Sequence, residues 1–196
     1  MQRIGYFGAS AHRGRMFFLK AATLHARTGK RGGAMNLLLD GSDRAQALLV
    51  LEDGTAFSGR SCGAAGEAIG RIAFDTDIFG YQAALADEGY RGAIVAFTYP
   101  QIGNFGVNAE APAHALPVGI VVHDMVRTPS SWQCEKDLPA YLAEQGIVGI
   151  EDIDVRALVA QLRDRPGIWA AISTRMLDAE ILATRVRVRK GGEAHA

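Results

Sequence analysis

Five apolar residues in succession, 93–97, run straight into Thr98-Tyr99-Pro100-Gln101-Ile102-Gly103-Asn104-Phe105-Gly106-Val107-Asn108. The apolar run reads as a strand buried on both faces. The segment after it crowds two glycines, two asparagines and a proline into eleven residues. Gly and Asn tolerate positive φ and Pro restricts it, so the chain leaves the buried strand along one demanding backbone path. Any fold for this chain has to scaffold that loop, and Gly80-Tyr81-Gln82 lies a short distance upstream of it.

Around this feature the chain divides into a β-rich first half and an α/β second half. Residues 47–52 form an apolar strand that meets Asp53-Gly54, a tight-turn pair, and 55–59 returns from it as a hairpin. Gly63, Gly66 and Gly70 punctuate a loop before a strand at 71–75. A short helix is predicted over 81–86, stopping at Asp87-Glu88-Gly89, and 118–122 reads as a second buried strand. Asp137 precedes Leu138-Pro139, which suits a helix start, with Gly146 as its stop. Asp154 caps a helix over 155–164 in which Val155, Leu158, Val159 and Leu162 define one apolar stripe. Residues 168–173 return as a strand, and Asp178 caps a weaker helix through Thr184. The expected class is α+β, α/β-like in its second half: a sheet covered by helices, with the hairpin as a further antiparallel layer.

Most catalytic chemistries find no support in the residue pattern. Gly63-Ala64-Ala65-Gly66 lacks the lysine and hydroxyl of a phosphate loop, and its spacing to Gly70 misses the dinucleotide fingerprint, so it reads as a turn. The histidines at 12, 25, 114, 123 and 195 never fall at i, i+4, and no cysteine lies near one at finger spacing. His123-Asp124 reads as a solvated strand end. Cys62 and Cys134 form no Cys-x-x-Cys pair and neither sits in a nucleophile elbow. Asp152 and Asp154 beside Arg156 are read as helix-capping acids, and Trp132 and Trp169 as packing residues.

Composition sets the outer limits. The 196 residues are 48% hydrophobic, enough for one sizeable core. Net charge is zero, yet residues 1–45 hold eight Lys or Arg against two Asp, and 185–196 hold four against one Glu. The middle is therefore acidic, which argues against a nucleic-acid partner. No apolar run is long enough for a membrane span. Two cysteines suit a reducing cytoplasm. The Arg- and Gly-rich residues 1–33 read as an unstructured leader or a mis-assigned start, with Met35 as a second start and an organellar targeting peptide as the lesser alternative. Three segments are expected: a basic leader 1–45, a folded domain 46–184 and a solvated basic tail 185–196.

An ordered set of motifs narrows the function. Ala47-Leu48-Leu49-Val50-Leu51-Glu52-Asp53-Gly54-Thr55 with Phe57 and Gly59, Gly80-Tyr81-Gln82, Thr98-Tyr99-Pro100, Ile102-Gly103-Asn104, Pro129-Ser130 with Trp132, and Ile153-Asp154 with Arg156-Ala157-Leu158 resemble the N-terminal domain of the small subunit of glutamine-dependent carbamoyl-phosphate synthase. The resemblance runs from about residue 46 to about 175. It implies a swivelling three-layer β/β/α domain that docks the small subunit onto the large synthetase subunit, in an enzyme that supplies carbamoyl phosphate for pyrimidine and arginine synthesis. In that family a separate class I amidotransferase domain hydrolyses glutamine with a Cys nucleophile. This chain ends where that domain is expected to begin, and neither of its cysteines matches the nucleophile.

Departures from the family pattern point the same way. The family's Gly-Tyr-Gln-Glu and Thr-Asp-Pro-Ser-Tyr become Gly80-Tyr81-Gln82-Ala83 and Ala86-Asp87-Glu88-Gly89-Tyr90, so Gly89 stands where the family's glutamine-contacting serine would be and offers no hydroxyl. Its Phe-Asn-Thr is Phe74-Asp75-Thr76, and its Ile-Asp-Thr-Arg is Ile153-Asp154-Val155-Arg156. The expectation is a non-catalytic docking module without cofactor or metal, whose partner is the large subunit and whose amidotransferase chain, where there is one, acts in trans. Gly80, Tyr81, Gln82, Tyr99, Pro100, Gly103, Asn104 and Phe105 are its interface candidates, with Tyr81, Tyr99 and Phe105 as exposed anchors. Two alternatives stay open: a free-standing homologue recruited as an interaction or regulatory module, and a small-molecule site lined by the loop 103–108.

Overall fold

The computed structural model describes residues 44–77, 80–109, 111–165 and 167–193. The expected leader lies outside the described residues, apart from Arg44 and Ala45. Nine strands are described: β1 Gln46–Leu51, β2 Ala56–Ser61, β3 Glu67–Asp75, β4 Ile94–Phe97, β5 Gln101–Ile102, β6 Gly119–Val121, β7 Asp124–Met125, β8 Val148–Glu151 and β9 Trp169–Ser173. The helices are α1 Tyr81–Ala86, α2 Leu138–Glu144, α3 Val155–Arg163 and α4 Ala179–Glu193, with a 3-10 turn at Glu88–Tyr90.

Seven of the strands close into one sheet in the order β1-β2-β8-β6-β4-β3-β9, with β9 pairing back onto β1. The run β3, β4, β6 and β8 is parallel, while β1, β2 and β9 join antiparallel to their neighbours. The α+β class expected from the sequence is present. The hairpin is not a separate layer, however: β1 pairs with β9 and β2 with β8, so it forms part of the wall of the closed sheet. Closing the sheet leaves these strands without a bare edge.

Alternation along the strands sorts the core into three clusters, because successive side chains point to opposite faces. Leu49 and Leu51, Ile94 and Ala96, Val148 and Ile150, Ala170 and Ile172 share one interior cluster with the stripe Val155, Leu158, Val159 and Leu162 of α3. The intervening residues Val95 and Phe97, with Ile120 and Val122, pack against Tyr81 and Leu85 of α1 and Leu138 and Leu142 of α2. Leu48, Val50, Trp169 and Ala171 pack against Leu182, Ala183 and Val186 of α4. Both faces of the wall are thus covered, which is why the strands read as near-continuous apolar runs.

Local signals decode most element ends. Gly54 takes φ +93 in the hairpin turn, and the Asp53 carboxylate accepts the Thr55 N–H at 2.8 Å. Asp137 and Asp154 cap α2 and α3 by accepting the Ala140 and Ala157 N–H groups at 2.7 and 2.9 Å. Asp178 accepts the Glu180 and Ile181 N–H groups as expected. The helix it starts does not stop at Thr184, and the stretch read as a solvated basic tail forms its second half as far as Glu193. Val186 is buried there, Arg185 pairs with Glu67, and Lys190 pairs with Glu52. Alternating Arg and Val suggests a strand edge in isolation, but long aliphatic-stemmed arginines are good helix formers.

Two further elements differ from the sequence reading. Gly70 was assigned to a loop, yet it lies inside β3 opposite Ala170. Strand β8 is an apolar run too short to distinguish in sequence from a buried helical turn. A Cβ at Gly70 would press on the Gly92 carbonyl oxygen deep inside contact distance, against backbone that cannot swing away. Gly70→Ala is expected to lower the unfolding free energy by about 1–3 kcal/mol, as overpacking does. Urea denaturation checks this, with Ala65→Gly, at an exposed loop position, as the near-neutral control.

Candidate functional site

The loop that follows β4 is fastened along its length to the segment 124–136. β5 and β7 pair in parallel, with Gln101 opposite Asp124 and Ile102 opposite Met125. The Val126 N–H donates to Ile102 at 2.8 Å, the Ser130 N–H to Asn104 at 3.0 Å, and Val107 exchanges backbone hydrogen bonds with Lys136. Gly103 and Gly106 take φ +101 and +66. Their conformational freedom serves close packing rather than a cradle: a Cβ on Gly103 would lie 3.0 Å from the Val126 carbonyl oxygen, and one on Gly106 would overlap the Cys134 sulfur. This favours a rigid platform over the loop-lined small-molecule site that the sequence left open.

Gly80-Tyr81-Gln82 supports the platform from beneath. Tyr81 is 5% exposed, and its hydroxyl donates to the Gly106 carbonyl. Burial pushes that phenol up to about 12. The Gln82 side-chain oxygen accepts the Asn108 N–H at 3.2 Å. Tyr81 was expected among the exposed anchors; it is instead an internal strut, and Tyr99 is partly buried against the same cluster. Phe105 is exposed as expected, at 49%. Trp132, read from sequence as a packing residue, stands 90% exposed on the partner segment, whereas Trp169 is buried. Pro100 is exposed and Asn104 half-buried.

The other residues weighed for chemistry are placed as follows. Cys62 is buried, and loss of water pushes its thiol far up, with the Glu151 carboxylate adding to the shift. Such a group is a poor nucleophile. Cys134 donates to the Lys136 carbonyl at 3.3 Å. His123 Nδ1 faces the Ile153 carbonyl at 3.0 Å, while Asp124 accepts from the Gln101 amide, so the two do not orient one another. Asp154 caps α3, but Asp152 does not: it takes φ +67 and lies 3.7 Å from Arg60. Gly89 sits in the 3-10 turn with its N–H donating to Asp87 at 2.8 Å. Among the described residues no group of three His, Cys, Asp or Glu could hold a metal ion, and no helix is long and apolar enough to cross a membrane.

One organising group was missed. Glu151, 1% exposed at the end of β8, pairs with both Arg44 and Arg127. Arg127 Nη1 also donates to the Met125 carbonyl at 2.7 Å, and the Met125 N–H donates to Glu151 at 3.3 Å. The ion cluster therefore pins β7, the start of the segment that carries Trp132. An acid closing the apolar run 147–150 is the only signal of it in the sequence.

The family model for the carbamoyl-phosphate synthase small chain, CPSase domain, matches residues 49–172. The chain is 45% identical over 148 residues to the carbamoyl phosphate synthase small chain of Synechococcus sp., an alignment covering 74% of this chain and 38% of that one. It is 46% identical over 144 residues to the protein of the same description from Nostoc sp. and 45% over 144 residues to that from Thermotoga maritima, each covering 72% of this chain and 37% of the relative. The chain thus spans 37 to 38% of the length of these curated relatives.

Tyr81→Phe leaves the Gly106 carbonyl without its donor inside the core. Stability is expected to fall by about 1–3 kcal/mol in urea denaturation. The raised phenol also predicts a pH dependence: the folded state holds the Tyr81 proton where the unfolded chain releases it, so stability falls as pH rises from 10 towards about 12. Tyr81→Phe should make that alkaline slope shallower in parallel melts, with the raised Tyr90 and Tyr141 phenols supplying the remainder.

Proposed function

Because the chain belongs to the carbamoyl-phosphate synthase small-chain family through its CPSase domain, we propose that it is a docking module for the large synthetase subunit and contributes a surface rather than glutamine hydrolysis. The observation that carries the reading is the clamped pair of segments, 99–108 and 124–136, with Phe105 and Trp132 turned outward. Large aromatic groups held on rigid backbone suit protein recognition, since they bury much area on binding and lose little conformational entropy. The inert placement of Cys62 and the glycine at position 89 support a role without a thiol nucleophile or a serine contact to glutamine.

Ammonia for carbamoyl phosphate would then come from another source, such as an amidotransferase chain acting in trans. Asp75 favours a second reading, a homologue recruited to another enzyme. Where the family carries a neutral Asn, this acid accepts the Tyr90 hydroxyl at 3.1 Å and the Asp77 N–H at 2.7 Å. A charged group at this motif position is the change that a chain adapted to a different partner would carry.

Size exclusion with light scattering of the chain mixed with the large subunit separates the two. The docking module gives a stoichiometric complex, and Trp132→Ala or Phe105→Ala weakens it about tenfold or more, as loss of an interface hot spot does. Two separate peaks at micromolar concentration favour recruitment elsewhere, and a complex indifferent to both substitutions means that another face docks.

A further inference from the structure

Three stretches that carry family motifs take little part in the platform: Phe74-Asp75-Thr76, Thr98, and Ile153-Asp154-Val155-Arg156. They meet in space. β3 and β4 are parallel with Asp75 opposite Phe97, so Thr76 and Thr98 leave adjacent strands side by side at their carboxyl ends. α3 buries Val155 and Val159, and its neighbouring stripe, Arg156, Ala160 and Arg163 at i, i+4 and i+7, borders the space beyond the two threonines. The space is an open cleft of about 350 Å³, within the size range of small-ligand sites. The carboxyl ends of parallel strands are the usual place for ligands on α/β sheets.

The chemistry of the lining is one-sided. It holds two guanidinium groups and two hydroxyls and no carboxylate. Seven of the twelve arginines of the described residues make ion pairs: Arg44 and Arg127 with Glu151, Arg60 with Asp152, Arg91 with Glu88, Arg165 with Asp53, Arg185 with Glu67 and Arg189 with Glu193. Arg156 and Arg163, like Arg71, Arg175 and Arg187, have no ion pair among the described residues, and they differ from those three in lining one cleft together. Two like charges two turns apart on one helix, with no carboxylate in the cleft they line, create a positive site that an anion would neutralise.

We propose that this cleft binds a phosphate-class oxyanion, free or as a small phosphomonoester, held by Arg156 and Arg163 with Thr76 and Thr98 as hydroxyl donors. Guanidinium groups donate in a planar fork matched to phosphate oxygens, and hydroxyls add donors from the opposite wall. Two guanidinium forks and two hydroxyls offer more donors than a single carboxylate can accept well. The site adjoins the docking platform at Thr98, but its lining contains neither Phe105 nor Trp132. Its test uses the chain without the large subunit, so either proposal can fail alone.

Calorimetric titration of the full chain with inorganic phosphate, with glycerol 3-phosphate and with acetate at matched ionic strength tests the assignment. Saturable one-to-one binding of phosphate is expected, weakened about tenfold or more in Arg156→Gln and in Arg163→Gln, as loss of a charge-assisted hydrogen bond requires. Tighter binding of glycerol 3-phosphate than of phosphate identifies a phosphomonoester as the ligand, and the reverse identifies the free ion. Should Arg156→Gln fail to fold, Arg163→Gln and Thr98→Val carry the test, with circular dichroism confirming their folded state. No binding to the wild type, equal binding of acetate, or undiminished phosphate affinity in the folded variants overturns the proposal.

Discussion

The closed sheet depends on one narrow junction. β2 and β8 meet over two residue pairs, Arg60 with Glu151 and Ser61 with Ile150, and there the antiparallel hairpin joins the parallel half of the sheet. Side chains would keep the strands apart. Gly59 and Gly149 remove them, and a Cβ on either would collide with the opposing strand or with Cys62. Close approach is therefore a steric requirement before it is an energetic one. Glu151 then adds a directed component, a buried carboxylate answered by two arginines and a backbone N–H. Both arginines keep partial access to water, so only the acid bears the full desolvation cost and it is doubly compensated.

From this junction the constraint passes outward. Glu151 holds Arg127 and the Met125 backbone, which places β7 alongside β5 and so fixes the partner on which the glycine-rich loop lies. Tyr81 reaches the same loop from α1. The loop is thus held from both sides by hydrogen bonds formed in the interior, with Tyr99 packed against the core and Phe105 exposed. Phe105 and Trp132 stand exposed on the two segments so clamped.

Much of this was legible in the chain and some was not. The hairpin at Asp53-Gly54, the short helix Tyr81–Ala86, the capped helices after Asp137 and Asp154 and the stripe Val155, Leu158, Val159 and Leu162 all follow from local rules that need only a few neighbouring residues. The motifs at Gly80, Thr98 and Ile153 carried the family. Tyr81 and Trp132 were assigned the wrong exposure for the same reason: both are amphipathic aromatics whose burial depends on whether a distant carbonyl or surface is there to receive them. Gly70 reads as a loop residue in the sequence because a glycine used for close approach looks the same there as one used for a turn.

The sequence by itself determined the hairpin, the helix starts and their caps, the family and the presence of a conformationally demanding loop, because backbone preference and apolar periodicity act over a few residues. Only the tertiary structure decided that the hairpin belongs to the same sheet as the parallel strands and that Glu151 is the buried acid. It also placed Thr76, Thr98, Arg156 and Arg163 around one cleft. These outcomes depend on contacts between residues tens of positions apart, such as Arg60 with Glu151 or Asp75 with Phe97. Such pairings are chosen by how the whole core fills space and satisfies its polar groups, which no single segment records.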